Sequence, residues 1–193
     1  MHQGVLSSDR AFNRIVSRNG QPTGNRSVYF VNATSLAKPD AIQLLSTDIT
    51  TNNIHIALVA EIWFDNKVTD DLVSINNYTL IRLDRNPTQK HKGGGICFYV
   101  RKDVKCSIIK HRNITDPNLE YMFISCEFVS TAHIIACIYH PPKPHYDTGL
   151  LVYELSADLD NLLSTNCDSA FILAGDFNHL NTEFLSTDFV FTS

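Results

Sequence analysis

The chain is predicted to be an α/β protein with mixed sheet pairing. Three observations lead there. Short, nearly unbroken apolar runs at 54–60, 96–100 and 171–174 read as buried strands. Leucine-rich stretches at helical spacing stand directly before the first and last of these runs. Between them lies a series of strands with no helical interruption, which breaks the strict alternation of a Rossmann fold.

The elements follow in order. Residues 27–32 form the first expected strand. A polar linker with Pro39 leads into a helix over about 39–52, with Ile42, Leu44, Leu45 and Ile49 on its apolar side. Strands are expected at 54–60 and 78–83. Residues 84–92 are polar, end in Lys-His-Lys and read as an exposed loop. Gly93-Gly94-Gly95 precedes the strand at 96–100. Because it does not open a helix, it fails as a dinucleotide loop, and a close backbone approach or a bend explains it better. Strands follow at 105–110, 120–128 and 134–139, the last stopped by Pro141-Pro142. A helix over 148–163 carries Leu150, Leu151, Leu155, Leu159, Leu162 and Leu163, and the strand at 171–174 closes the series.

Composition narrows the class. The 193 residues are 44% hydrophobic and 19% charged, which supports one domain with its own core. A net charge of −4 carries no global nucleic-acid signature, although a local basic groove is compatible with it. Cys97, Cys106, Cys126, Cys137 and Cys167 are odd in number and lack C-x-x-C spacing. They read as thiols of a reducing compartment, most of them in the core, not as a disulfide frame or zinc site. No apolar run is long enough to cross a membrane as a helix. Residues 1–26 are polar, carry Arg10, Arg14, Arg18 and Arg26, and have no apolar core of a secretory signal. A disordered leader is expected there.

Polar residues recur where the apolar strands finish. Asn32 ends the first strand, Glu61 the second and Tyr139 the strand before the prolines. Asp176 and Asn178 follow 171–174. Ligand sites of α/β sheets gather at such ends. Gly175 is expected to turn the chain, and Asp176 and Asn178, two apart, to project to one side. A lone strand-end Asn or Tyr usually caps a turn. Glu61, between a buried strand and Trp63, is harder to explain that way, since an unpaired carboxylate there is costly. A divalent cation would offset that cost, and an acid–amide set is a hard-oxygen site of magnesium type. His55, inside a buried run, reads as a satisfied core histidine.

Seven motifs occur in this order: Asn32-Ala33-Thr34-Ser35-Leu36, Glu61-Ile62-Trp63, Arg82-x-Asp84-Arg85, Gly93-Gly94-Gly95 with Phe98-Tyr99-Val100, Leu119-Glu120, Tyr139-His140-Pro141-Pro142 and Gly175-Asp176-Phe177-Asn178. Together they resemble the endonuclease/exonuclease/phosphatase superfamily, most of all the apurinic-endonuclease-like domain of non-LTR retrotransposons, over about 28–180. The resemblance implies a two-sheet α/β/β/α sandwich over 27–193, incomplete at its C-terminus. It implies a magnesium-dependent endonuclease hydrolysing DNA phosphodiester bonds, with manganese as the alternative ion. By position, Glu61 and Asn32 match the metal site, and Tyr139, Asp176 and Asn178 the catalytic groups. Arg82, Arg85 and Lys92 would contact the DNA backbone. The implied partners are DNA and a reverse transcriptase domain in a longer parent polyprotein, with an intracellular, nuclear setting.

Two departures shape the expectation. His140 stands where the retrotransposon pattern has arginine. The superfamily's later aspartate and Ser-Asp-His motif have no counterpart after Asn178, where the chain offers Asp188 but no Asp-His pair. Weak or absent activity is therefore expected. The rival readings are a phosphomonoesterase or lipid phosphodiesterase of the same superfamily, and a non-catalytic DNA-binding remnant.

Overall fold

The computed structural model describes the backbone of residues 12–14, and residues 26–180 except 87–92, 112, 114–115 and 129–130. Two mixed sheets pack face to face, each covered on its outer side by one helix. Sheet A has the order β1-β2-β3-β5-β4, formed by Phe12–Arg14, Ser27–Asn32, Ile56–Ala60, Ile96–Arg101 and Tyr78–Leu83. Sheet B has the order β6-β7-β8-β9, formed by Cys106–Lys110, Glu120–Phe128, Thr131–Tyr139 and Ala170–Asp176. The expected α/β/β/α sandwich is the observed one.

Each sheet contains one parallel pair joined through a helix. In sheet A, β2 and β3 are parallel and joined through α1 (Ala41–Thr51). In sheet B, β8 and β9 are parallel and joined through α2 (Thr148–Thr165). The other pairings are antiparallel. Both parallel pairs therefore end with a loop leading off the C-terminal side, the place where an α/β sheet leaves room for a ligand.

Period-two alternation distributes the side chains. Ile56, Leu58, Ala60, Ile96, Phe98 and Val100 of sheet A meet Met122, Ile124, Cys126, Ile135 and Cys137 of sheet B in the central layer. The intervening residues Ala57, Val59, Cys97 and Tyr99 face Leu45 and Ile49 of α1. Tyr121, Phe123, Ile134, Ala136 and Ile138 face Leu151, Leu155 and Leu159 of α2. Strand β3 is fully buried along its length, which explains its unbroken apolar sequence.

Several local readings change. The segment 1–26 contains strand β1, paired antiparallel with β2. Strand β8 begins at Thr131, three residues before the first strongly apolar position, because its start pairs with the end of β7. Helix α1 begins at Ala41 behind Asp40, whose φ of 63° sets the entry turn. A 3₁₀ turn, Asp70–Val73, lies in a segment that sequence left unassigned. Gly175 does not turn the chain. It lies inside β9, and a Cβ there would sit 1.9 Å from the Ile138 carbonyl oxygen. Close approach of β8, not backbone freedom, requires glycine there. Among the described residues all five cysteines are free, with Cys97, Cys126 and Cys137 buried, Cys106 half-buried and Cys167 exposed. Among the described residues no helix is long and apolar enough to cross a membrane.

Candidate active site

The strand ends converge on one rim. Asn32 closes β2, Glu61 follows β3, Tyr139 closes β8 and Asp176 closes β9. Two hydrogen bonds cross between the sheets there. The Tyr139 hydroxyl donates to Glu61 Oε1 at 2.9 Å, and the Asn32 amide donates to Asp176 Oδ2 at 2.6 Å. Glu61 Oε2 also accepts from Trp63 Nε1 at 2.9 Å. Asn32 Oδ1 accepts the backbone N–H of Thr34 at 2.9 Å, so the amide is fixed with its NH₂ toward Asp176. Burial and the neighbouring Glu61 carboxylate raise the Tyr139 pKa. The phenol is thus a neutral donor across the neutral pH range.

Asn178 reaches the rim differently from the expectation. It lies past β9 with a φ of 43°, a conformation asparagine tolerates. Its side chain therefore does not follow strand alternation with Asp176. Its backbone N–H donates to Asp176 Oδ1 at 3.2 Å, and its amide donates to the His140 carbonyl at 2.7 Å. The His140 N–H in turn donates to the Asp176 carbonyl at 2.8 Å, and its Nδ1 lies 3.0 Å from the Tyr146 hydroxyl. Buried His140 thus ties the Asp176 corner to the loop after β8, and burial lowers its pKa.

The backbone at this rim is strained. Thr34, Ser35, Glu61 and Trp63 all have positive φ, at 45°, 91°, 56° and 58°. Such positions cost about 1–3 kcal/mol each and persist where the surroundings over-determine them. Backbone hydrogen bonds between neighbouring loops hold them there. Ile62 and Trp63 donate to the Gly95 and Gly94 carbonyls, and Ser35 and Leu36 donate to the Glu61 and Ile62 carbonyls. The Gly93–Gly95 run is therefore a close approach, as expected from its place before a strand.

Glu120 is the residue that sequence reasoning quoted without assigning a role. It is 3% exposed, and both its oxygens are used. Oε1 accepts from Arg85 Nε at 2.6 Å and Oε2 from the Gly95 N–H at 2.6 Å. Burial raises its pKa and Arg85 opposes that rise. The Arg85 guanidinium stands 5.7 Å from the Tyr139 ring centroid. Arg82 is engaged elsewhere. It donates to the Val68 carbonyl, pairs with Asp70 and Asp84, and lies over the Phe64 ring. Lys92, with Lys90 and Asp188, lies outside the described residues. Arg101 ends a strand antiparallel to β3 and so sits at the opposite rim, paired with Asp103.

A cavity of about 370 Å³ opens beside Glu61 and Tyr139, walled by Trp63, Arg85, Tyr146 and the Pro141-Pro142-Lys143 turn. Among the described residues no three His, Cys, Asp or Glu side chains cluster as a metal cage. The rim offers instead oxygen donors from Glu61, Asn32 and Asp176. That set fits a partly hydrated hard cation, which takes one or two carboxylates and keeps several waters.

Comparison with known proteins agrees with this architecture. The human nocturnin catalytic domain with a bound sulfate anion superposes with a TM-score of 0.59 at 16% identity, over 93% of this chain and 78% of that one. D. rerio TDP2 complexed with a single-strand DNA product gives 0.57 at 15% identity, over 82% and 62%. The endonuclease domain of TRAS1, a telomere-specific non-LTR retrotransposon, gives 0.54 at 13% identity, over 80% and 60%. The chain thus spans about three quarters of the first of these and under two thirds of the other two. No curated protein sequence matches it. The profile of the Endonuclease/Exonuclease/phosphatase family matches residues 18–192, nearly the whole chain, and with the two-sheet sandwich already in place the chain belongs to that family.

Proposed function

We propose that the chain is a divalent-cation-dependent phosphodiesterase of retrotransposon type that nicks DNA. One observation supports this above the others: the Tyr139–Glu61 and Asn32–Asp176 hydrogen bonds draw four separated strand ends to one rim. Glu61, with Asn32, would hold magnesium or manganese. When bound, the cation supplies Lewis acidity on a phosphate oxygen. Asp176, its Oδ2 held by the Asn32 amide, orients and deprotonates the attacking water. Tyr139, kept protonated, has its one hydroxyl proton on Glu61 Oε1 and turns it to charge developing on phosphate once substrate is bound. Asn178 fixes the Asp176 corner through His140, and its role is positional. Arg85 supplies sequence-independent, salt-sensitive attraction to the DNA backbone, and Lys92, outside the described residues, is proposed for the same role. Arg82 already has two carboxylate partners and is left out of this set.

Plasmid nicking in magnesium, manganese or chelator tests the reading, with Glu61→Ala and Asp176→Ala as controls. Nicking that both substitutions leave unchanged overturns the residue roles. Hydrolysis of a phosphoinositide without hydrolysis of DNA overturns the substrate.

A further inference from the structure

We propose that Cys106 and Cys126 are a modification site, a thiol pair that a low-molecular-weight disulfide converts reversibly into an intrachain bond stapling edge strand β6 to β7. The inference does not depend on the nuclease reading. The ladder places the two residues directly opposite each other. The pair next to them is hydrogen-bonded, with the Glu127 N–H donating to the Lys105 carbonyl at 3.0 Å. Antiparallel pairs alternate, so Cys106 and Cys126 take a non-hydrogen-bonded position, where Cα atoms stand only about 4.5 Å apart. A disulfide spans roughly 4.4–6.8 Å between Cα atoms. The pair therefore meets the requirement with the backbone as it stands. It does so at the short end of the range, where strain makes the bond easy to reduce. Free thiols are then the resting form in a reducing setting, and the bond forms only when an oxidised partner is supplied.

The two thiols are not equivalent. Cys126 is buried in the central layer, and Cys106 is half-buried against it on the outermost strand of sheet B. The hydrogen bond between them lowers the Cys106 pKa and, with burial, raises that of Cys126. Cys106 is thus the attacking thiolate and Cys126 the resolving thiol. Cys106 Sγ attacks one sulfur of the reagent, forms a mixed disulfide and expels a thiolate. Cys126 Sγ then attacks Cys106 Sγ and expels the second. Two protein thiols are oxidised, the reagent's disulfide is reduced, and both thiol protons end on the two departing thiolates. Strand β6 is the element that such a bond would tie down. Its Ile108 and Ile109 are exposed, and its register with β7 shifts between Ile108 and Lys110. The Lys105–Glu127 ion pair at its start is exposed and adds little.

The whole chain carrying Cys167→Ser, which removes the exposed thiol, is treated with oxidised glutathione at neutral pH and weighed intact. A loss of two hydrogens is expected, with no glutathione retained. Trypsin cuts after Lys105, Lys110 and Arg112, so the bond is expected to join two peptides that dithiothreitol separates. Cys126→Ser in the same background is expected to stop at the mixed disulfide, one glutathione heavier. Cys106→Ser is expected to keep its mass, because the thiols left are buried. Amide exchange of β6 is expected to slow about tenfold on oxidation and to recover with dithiothreitol. A folded protein that keeps glutathione while Cys126 stays free, or that does not change in mass, overturns the proposal. Unchanged exchange in the bonded form overturns the staple.

Discussion

At the rim where β2, β3, β8 and β9 end, polar side chains run between the two sheets, Tyr139 to Glu61 and Asn32 to Asp176. At the opposite rim they run within sheet A and its loops. The Ser27 N–H donates to His55 Nδ1, the Ser27 hydroxyl to the Asn53 carbonyl, and Asp103 pairs with Arg101 and Arg26. The backbone differs in the same sense. Left-handed positions at the far rim fall on Asn53 and Asn77, which tolerate them. At the site rim Asn178 likewise tolerates its position, but Thr34, Ser35, Glu61 and Trp63 do not. The far rim is locally consistent, while the site rim holds side chains in place against local preference. That contrast is what the proposed function requires of a functional end and a structural end built from the same strands.

The largest test of that contrast is catalytic. Glu61→Ala or Asp176→Ala is expected to lower nicking about a thousandfold or more, because these groups act as a unit. Asp103→Ala, at the far rim, is expected to leave the rate within about twofold. A far-rim substitution that abolishes nicking in a folded protein would break the division.

Stability should respond most at Glu120. Glu120→Ala leaves the Arg85 guanidinium and the Gly95 N–H without their buried partner. The expected cost is about 3–5 kcal/mol, measured by urea unfolding. Glu120→Gln keeps one acceptor and should cost less. Equal losses would mean that packing, not the ion pair, matters at this position.

The strands were legible in the sequence, but their allotment to two sheets was not. β3, β5, β7 and β8 are buried on both faces, so their apolar runs carry no period-two signal to say which face looks inward. The sandwich followed only from the resemblance. The candidate residues at strand ends, whose roles are proposals, were legible because a polar side chain stops each apolar run. Glu120 was not, since it opens a strand next to Leu119 and only its burial shows that Arg85 and Gly95 depend on it. Gly175 was read as a turn because sequence cannot separate a glycine that bends from one that admits a neighbouring strand.

Acid should weaken the far rim first. Burial, then Arg101 and Arg26, lower the His55 pKa from 6.5 to about 4, while Asp103 opposes them. The unfolded chain therefore takes up a proton below about pH 6.5 that the folded chain refuses until about pH 4. Neutral His55 supports the fold above this window, and stability falls as pH drops through it, by at most about 1.4 kcal/mol per pH unit. His133 and His140 are also lowered by burial and add to the slope. Denaturant midpoints of His55→Gln measured across pH 4 to 7 should show a slope shallower by up to one proton. An unchanged slope would remove His55 from the account.

The finest test is of strain alone. Thr34 is exposed, β-branched and held at a φ of 45°, and its hydroxyl makes only a 3.4 Å contact with Asn32. Glycine at this position loses little contact and removes the steric cost of the left-handed backbone, but brings more entropy to the unfolded chain. The balance favours Thr34→Gly by about 1 kcal/mol. Asn77→Gly, at a φ of 66° on the far rim, relieves far less, because asparagine already tolerates the region, and should fall within about 0.5 kcal/mol of zero. Paired urea titrations of the two variants compare the rims directly. If Asn77→Gly stabilises as much as Thr34→Gly, strain is not concentrated at the site. If only Thr34→Gly stabilises and nicking falls with it, the strain holds Asn32 in its working position toward Asp176.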